Sequence, residues 1–195
     1  MMVGACDDWG AGAGARRVNR RADSVVGEKV LGVDEIRAGI AQVAERLNRV
    51  FSTADAAVVI TVVPGGILMT ADLVRQLTFD VELDVISCPH TPGQRHNASP
   101  IDYTQHVPIA GRDVIVVDDA IESGGTMRRL VDHLQALGPE SLSVATLLVK
   151  PGRAEIPVPQ FYGFELDGDE ALVGFGMPWR GRLRNLPFVA RLQPE

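Results

Sequence analysis

Val114-Ile115-Val116-Val117-Asp118-Asp119-Ala120-Ile121-Glu122-Ser123-Gly124-Gly125-Thr126 decides how this chain is read. Its first four residues are β-branched and apolar on both faces. That is the pattern of a strand buried on both sides, in a parallel sheet covered by helices. Two acids follow, then a short loop with a third acid, then Ser-Gly-Gly-Thr opening a helix. Gly124 and Gly125 let the backbone approach an anion closely and take dihedrals other residues avoid. The amides of Ser123, Gly124, Gly125 and Thr126, with the dipole of the helix behind them, can cradle a phosphate. The Gly-x-x-x-x-Gly-Lys of a nucleotide-hydrolysing P-loop is absent. Asp118 and Asp119 are adjacent, so on a regular strand they point to opposite faces and can share a ligand only if the strand ends there. At a strand's carboxyl end they could bind sugar hydroxyls or Mg²⁺, which prefers hard oxygen donors. Such a pair alone more often caps a turn; the glycine loop beside it favours a site.

Outward from this stretch, strand and helix patterns alternate. Residues 34–50 read as a helix that Asp34 can cap, with Ile36, Ile40, Val43, Leu47 and Val50 on its apolar face. Ala56-Ala57-Val58-Val59-Ile60-Thr61-Val62-Val63 is a second doubly buried strand, ended by Pro64-Gly65-Gly66. Residues 67–78 read as a helix with Leu68, Ala71, Leu73 and Leu77 available for burial. A strand is expected near 81–88, a helix carrying Met127, Leu130, Val131, Leu134 and Leu137, and a further strand over 142–149. Gly138 and Pro139 should stop that helix. Residues 160–166 and 171–176 supply shorter strands. The repetition predicts right-handed crossovers and an open, mostly parallel central sheet flanked by helices, with ligands bound beyond the carboxyl ends of the strands. Residues 88–112 hold no sustained period, and a loop that long is either a lid or a floppy insertion.

The chain has 195 residues, enough for one domain at about 150 residues each. Residues 1–30 read as a poorly ordered leader, rich in Gly and Ala, with Arg16, Arg17, Arg20 and Arg21; residues 31–195 form the domain. The net charge of −6 argues against a basic nucleic-acid face but leaves room for a small anionic ligand. Cys6 and Cys88 form no Cys-x-x-Cys pair, no apolar run approaches a membrane span, and the N-terminus lacks the pattern of a secretory signal. The expected setting is therefore reducing and cytoplasmic. His90, His96, His106 and His133 lack metal-ligand spacing.

A hydrophobic strand, two acids, a gap and Gly-x-Thr together resemble the phosphoribosyl pyrophosphate (PRPP) signature of type I phosphoribosyltransferases. Val62-Val63-Pro64-Gly65-Gly66 and Ala71-Asp72-Leu73 resemble the pyrophosphate loop and following helix of the hypoxanthine-guanine branch. Leu147-Leu148-Val149-Lys150, Phe161-Tyr162-Gly163-Phe164-Glu165, Val173-Gly174-Phe175-Gly176 and Arg184-Asn185-Leu186-Pro187 are similar, in order, to that branch's C-terminal purine region. The resemblance spans roughly residues 34–192. It implies the type I fold with a small hood built from the N- and C-terminal parts. The implied activity is that of a pentosyltransferase of purine salvage, moving 5-phosphoribosyl from PRPP to hypoxanthine or guanine and releasing pyrophosphate.

The same resemblance implies roles for residues. Ser123, Gly124, Gly125 and Thr126 would hold the 5′-phosphate. Asp118 and Asp119 would hold the ribose hydroxyls, directly or through Mg²⁺. Gly65 and Gly66 would offer amides to pyrophosphate, with Arg184 nearby. Lys150 would read purine O6, and Leu172 and Trp179 would complete the purine site. Glu122 falls where the family has its catalytic carboxylate, usually an Asp, acting near purine N7. Residues 88–112 occupy the place of the closing flap. The family usually forms dimers or tetramers, so a homo-oligomer is expected, with neither membrane nor nucleic acid as a partner.

The departures cluster on the base side. Ala171 stands where the family stacks an aromatic ring on the purine. Pro178 replaces an Asp that helps hold Mg²⁺. Cys88-Pro89 replaces the flap's Ser-Tyr, and Pro64 replaces a more polar residue. Two alternatives therefore stand beside the main reading: transfer to a different heterocycle, and a PRPP-binding regulator without turnover.

Overall fold

The computed structural model of the chain describes residues 25–88, 99–168 and 170–193. The elements in chain order are β1 (Val26–Leu31), α1 (Val33–Val50), β2 (Ala56–Val63), α2 (Ile67–Val74), β3 (Asp80–Ser87), β4 (Asp113–Ile121), α3 (Gly125–Gln135), β5 (Ser141–Val149), β6 (Gln160–Glu165), β7 (Leu172–Val173) and β8 (Val189–Leu192). Five strands make one sheet in the order β3-β2-β4-β5-β6, and every neighbouring pair is parallel. Alternation splits the central strands between two apolar layers. Ala57, Val59, Ile115 and Val117 pack with Ile36, Ile40, Val43 and Leu47 of α1 and Met69 and Leu73 of α2. Val58, Ile60, Val114 and Val116 pack on the other face with Met127, Leu130, Val131 and Leu134 of α3. This is why residues 57–60 and 114–117 are apolar at every position and not only at alternate ones.

The strand order places the site. From β2 the chain moves through α2 to β3 on one side; from β4 it moves through α3 to β5 and β6 on the other. The order therefore reverses between β2 and β4. A crevice opens there beyond their carboxyl ends, because the two connections leave in opposite directions. The β2 end carries residues 64–66 and the β4 end carries Asp118 and Asp119.

A second sheet joins the two ends of the chain, antiparallel in the order β1-β8-β7. It is the expected hood. Its first strand overlaps the segment read as leader: residues 26–31 pair with β8, while residues 1–24, including Cys6 and the arginine cluster, lie outside the described residues. Val26 and Val30 show no local period because what holds them is the far end of the chain.

Other differences have local causes. The first helix is opened by Glu35, whose Oε2 accepts from Gly32 N at 2.6 Å, while Asp34 pairs with Arg37. Val50 is 59% exposed, and Phe51 fills the core instead. The α2 helix stops at Val74, short of 78. Asn48 of α1 takes the Thr78 amide and donates to Gln76 O, drawing the chain out of the helix. Within α2, Met69, Thr70 and Leu73 are buried, whereas Leu68 and Ala71 face outward. Leu137 is likewise partly exposed, and Gly138 takes the expected left-handed conformation at φ +74°.

Candidate active site

At the β2–β4 crevice, a Cβ built on Gly65 would lie 2.9 Å from Asp119 Oδ2 and 3.1 Å from Asp118 Oδ1. Both carboxyl groups therefore converge on the same glycine. The condition expected from sequence, that the strand end at the two acids, is met on one side only. The ladder to β2 stops at Val117, but β4 continues beside β5 to Ile121. The 64–66 turn crosses the edge that β2 leaves, so adjacent residues can face one spot without breaking the strand. Each carboxyl also accepts from the next amide: Asp118 Oδ1 from Asp119 N at 2.9 Å, and Asp119 Oδ1 from Ala120 N at 2.7 Å.

Two further glycines make this approach possible. A Cβ on Gly66 would meet Val117 O at 2.5 Å, and one on Gly176 would run into Gly65 O and lie 2.7 Å from Asp119 Oδ2. Gly66 N donates to Val62 O at 2.8 Å, so its amide is engaged within the chain. Its contribution is close approach, and of the two expected donors Gly65 is the one left to face a ligand. Gly176 was not singled out from sequence as a site residue. Its signal was its place at the end of Val173-Gly174-Phe175-Gly176. Arg184 donates through Nη1 to Gly176 O, which brings its charge to bear on both acids.

The electrostatics of the pair follow from burial. Removal from water, followed by the charge of Asp119, raises Asp118 well above the ordinary carboxylate range. Burial raises Asp119 to about 6, opposed by the Ala120 amide, its bond with Asp118 and the Arg184 charge. A half-buried and a buried carboxyl with one nearby guanidinium form a site that gains from a further cation or from hydroxyl donors. Among the described residues, no group of three or more His, Cys, Asp or Glu converges as a metal cluster. The oxygen donors of Asp118 and Asp119 fit Mg²⁺, which one or two carboxylates commonly hold together with substrate phosphates.

Beyond β4, Gly124 sits at φ +77° immediately before α3. Its left-handed backbone turns the chain into the helix. The helix begins with Gly125, and the first amides of a helix have no partner within it. Ser123 and Gly124 thus lead into a helix start whose first amides, from Gly125 and Thr126, have no partner within the helix. Two carbonyls of the loop are engaged, Ser123 O by Ala154 N at 2.8 Å and Gly124 O by Arg128 N at 2.8 Å.

The base-side candidates are brought together only in part. Lys150, at the end of β5, lies 3.7 Å from Glu122 Oε1 and donates to Glu170 O at 2.8 Å. Glu122 itself is exposed. Lys150 and Leu172 line a cleft of about 270 Å³ with Glu165, Glu170 and Arg191, at the carboxyl ends of β5 and β6 beneath the hood. Trp179 is not among the residues lining it. Its ring is half-buried, with the Arg180 guanidinium 4.4 Å from its centroid. Ala171 and Pro178 are both exposed.

One buried acid went unnoticed in the sequence. Asp84 on β3 accepts from the amides of Val85, His106 and Val107, at 2.8, 3.0 and 3.2 Å. It also meets His106 Nδ1 at 3.2 Å and accepts from the Tyr103 hydroxyl at 3.3 Å. Burial alone would raise its pKa, but these amides and the imidazole together hold it below the usual carboxylate value. The same contact, after burial, pushes the Tyr103 phenol up. Of the expected flap, residues 89–98, with His90 and His96, lie outside the described residues; the part that follows is gathered on Asp84. Cys88 is buried beside Arg129, whose Nη1 donates to its Sγ at 3.8 Å. Among the described residues no helix is long and apolar enough to cross a membrane.

Comparison with known proteins agrees with this geometry. Residues 32–179 match the family model described as phosphoribosyl transferase domain. The chain is 30% identical over 162 residues to the hypoxanthine phosphoribosyltransferase of Escherichia coli (strain K12), covering 81% of this chain and 90% of the relative. It is 29% identical over 171 residues to the Haemophilus influenzae enzyme of the same name, covering 85% and 95%. Among solved structures, a hypoxanthine-guanine phosphoribosyltransferase from Bacillus anthracis superposes with a TM-score of 0.76 at 31% identity, covering 86% of this chain and 99% of that one.

Proposed function

The chain belongs to the phosphoribosyl transferase domain family, in its hypoxanthine-guanine branch, and on that premise we propose that it transfers 5-phosphoribosyl from PRPP to hypoxanthine or guanine. The bond from ribose C1′ to the pyrophosphate oxygen breaks, and purine N9 bonds to C1′. The observation that carries this reading is the convergence of Asp118, Asp119, Gly65 and Gly176 beside the phosphate-type loop that opens α3.

Bond cleavage places positive charge on the ribose and negative charge on the departing pyrophosphate, so catalysis needs fixed geometry and charges already in place. The amides of Ser123, Gly124, Gly125 and Thr126 anchor the 5′-phosphate. Asp118 and Asp119 orient the ribose hydroxyls, and the negative charge the pair carries favours the cationic sugar. Gly65 offers its amide to pyrophosphate, Gly66 lets the turn sit against β4, and Arg184 adds positive charge at the same end. Asp118 and Asp119 would also hold Mg²⁺, which supplies neutralisation of the leaving group's charge when bound. Lys150 donates to purine O6. Glu122, within 3.7 Å of Lys150, exchanges a proton near N7. A positioned acid/base group of this type contributes roughly 10²–10⁴ in rate. Leu172 packs against the base.

We assign the chain to a cytoplasmic setting and to a homo-oligomer, dimer or tetramer, as its family implies. Leu83 and Val85, 56% and 47% exposed on the edge strand β3, support self-association.

Pyrophosphate release from PRPP and Mg²⁺, measured against a panel of bases, tests the function. Turnover with hypoxanthine or guanine is expected. Turnover with another heterocycle alone would move the assignment to that base. Tight PRPP binding without turnover on any base would make the protein a regulator.

A further inference from the structure

Lys150 and the phosphate loop must keep a fixed distance, because the base and the 5′-phosphate they hold belong to one product molecule. The chain that spans them is the turn 150–155 between β5 and β6. On one side this turn is fastened to the phosphate loop. Ala154 N donates to Ser123 O at 2.8 Å, and Arg128 Nη1 donates to Glu155 O at 3.0 Å. A Cβ on Gly124 would lie 2.9 Å from Ala154 O and 3.1 Å from Ala154 N, so the two backbones are in contact. On the other side one side chain does the fastening. Arg153 Nη1 donates to Lys150 O at 3.0 Å, closing the turn onto the residue that opens it. Its Nε and Nη2 reach Gln160 Oε1, each at 3.5 Å; Nη1 lies 3.9 Å from Glu165 Oε2; the guanidinium rests 5.4 Å from the Tyr162 ring centroid. The side chain is only 17% exposed.

We propose that Arg153 is a positioning residue, which braces the 150–155 turn against β6 and so sets the spacing between Lys150 and the loop at Ser123 and Gly124. The roles of those two ends rest on the function proposed above; the brace does not. Its planar fork suits the task, since one group reaches a main-chain carbonyl, an amide oxygen and a carboxylate at once. A single ammonium at that point reaches fewer of them. Arg153 contacts none of the residues assigned to the reacting atoms except through the main chain of Lys150. Its removal should therefore loosen geometry without removing a chemical group, and misplacement by about 1 Å can cost as much as 10²-fold in rate.

The test uses Arg153→Gln and, as a gentler variant, Gln160→Ala, read in two ways on the whole protein. In the free protein, amide hydrogen exchange over residues 122–127 should quicken at least about fivefold in Arg153→Gln, with the amides of α1 unchanged. In turnover, KM for PRPP should rise roughly 3–10-fold and kcat should fall. Gln160→Ala should move both readouts the same way by less, and Arg153→Lys should recover only part of the loss. Unchanged exchange over 122–127 in folded Arg153→Gln, or in Gln160→Ala if the first variant does not fold, overturns the proposal. Faster exchange in a protein whose wild type neither binds nor uses PRPP would instead remove the proposed function and leave the brace standing.

Discussion

Two buried acidic sites, on strands that flank β2, have opposite fates. Asp84 on β3 is satisfied by its own chain: three amides, a phenol and an imidazole surround it, and its pKa is lowered. Asp118 and Asp119 on β4 have each other, the following amides and the charge of Arg184, and both are raised. Burial disfavours the charged form in each place. Hydrogen-bond donors supplied by the fold outweigh that cost at Asp84 and do not at the pair. An acid ringed by donors organises structure; a pair with one amide each and a shared guanidinium is a place where a ligand gains free energy.

Asp119→Asn should break the contrast most visibly. Turnover should fall roughly 10²–10³-fold, the scale of losing one charge-stabilising group. The ligand-free protein should nonetheless melt a few degrees higher, since a buried like-charged neighbour is gone. Steady-state pyrophosphate release and a thermal melt check both halves, and a lower Tm would mean that the pair is structural after all. Asp84→Asn should do the reverse. It leaves buried donors short of an acceptor and should cost about 1–3 kcal/mol in a urea titration. A stability equal to wild type would end its role as an anchor. The smallest effect lies in the pH dependence of that stability. Asp84 is lowered in the folded state, so its contribution is complete above the unfolded carboxylate range. It disappears as pH falls through the folded value, below 3.8. Between pH 5 and acid, wild type should therefore lose stability more steeply than Asp84→Asn; parallel curves would show that the amides around Asp84 do not set its charge.

The β4 motif was legible because each part carries its own local chemistry: a doubly apolar strand, acids, and glycines before a helix. Asp84 was not, because nothing near it in sequence marks it; its partners Tyr103, His106 and Val107 lie beyond a long connection. Arg153 was silent for the same reason, as a cation in a loop whose partners are on the next strand. Lys150 and Glu122 were each assigned from motif, but their 3.7 Å approach follows from β4 and β5 being neighbours. Trp179 was expected beside Lys150 and Leu172, yet the cleft those two line does not include it.

Residue order alone determined the layers of this protein, the strands buried on both faces and the glycine loop that opens α3, because those depend on side-chain period and on glycine within a few neighbours. Tertiary structure decided which strand ends meet. It reversed the strand order between β2 and β4, turned two adjacent carboxyls onto one glycine, and paired the chain's two ends in a hood. Those outcomes depend on contacts between segments far apart in sequence, whose register no local pattern specifies.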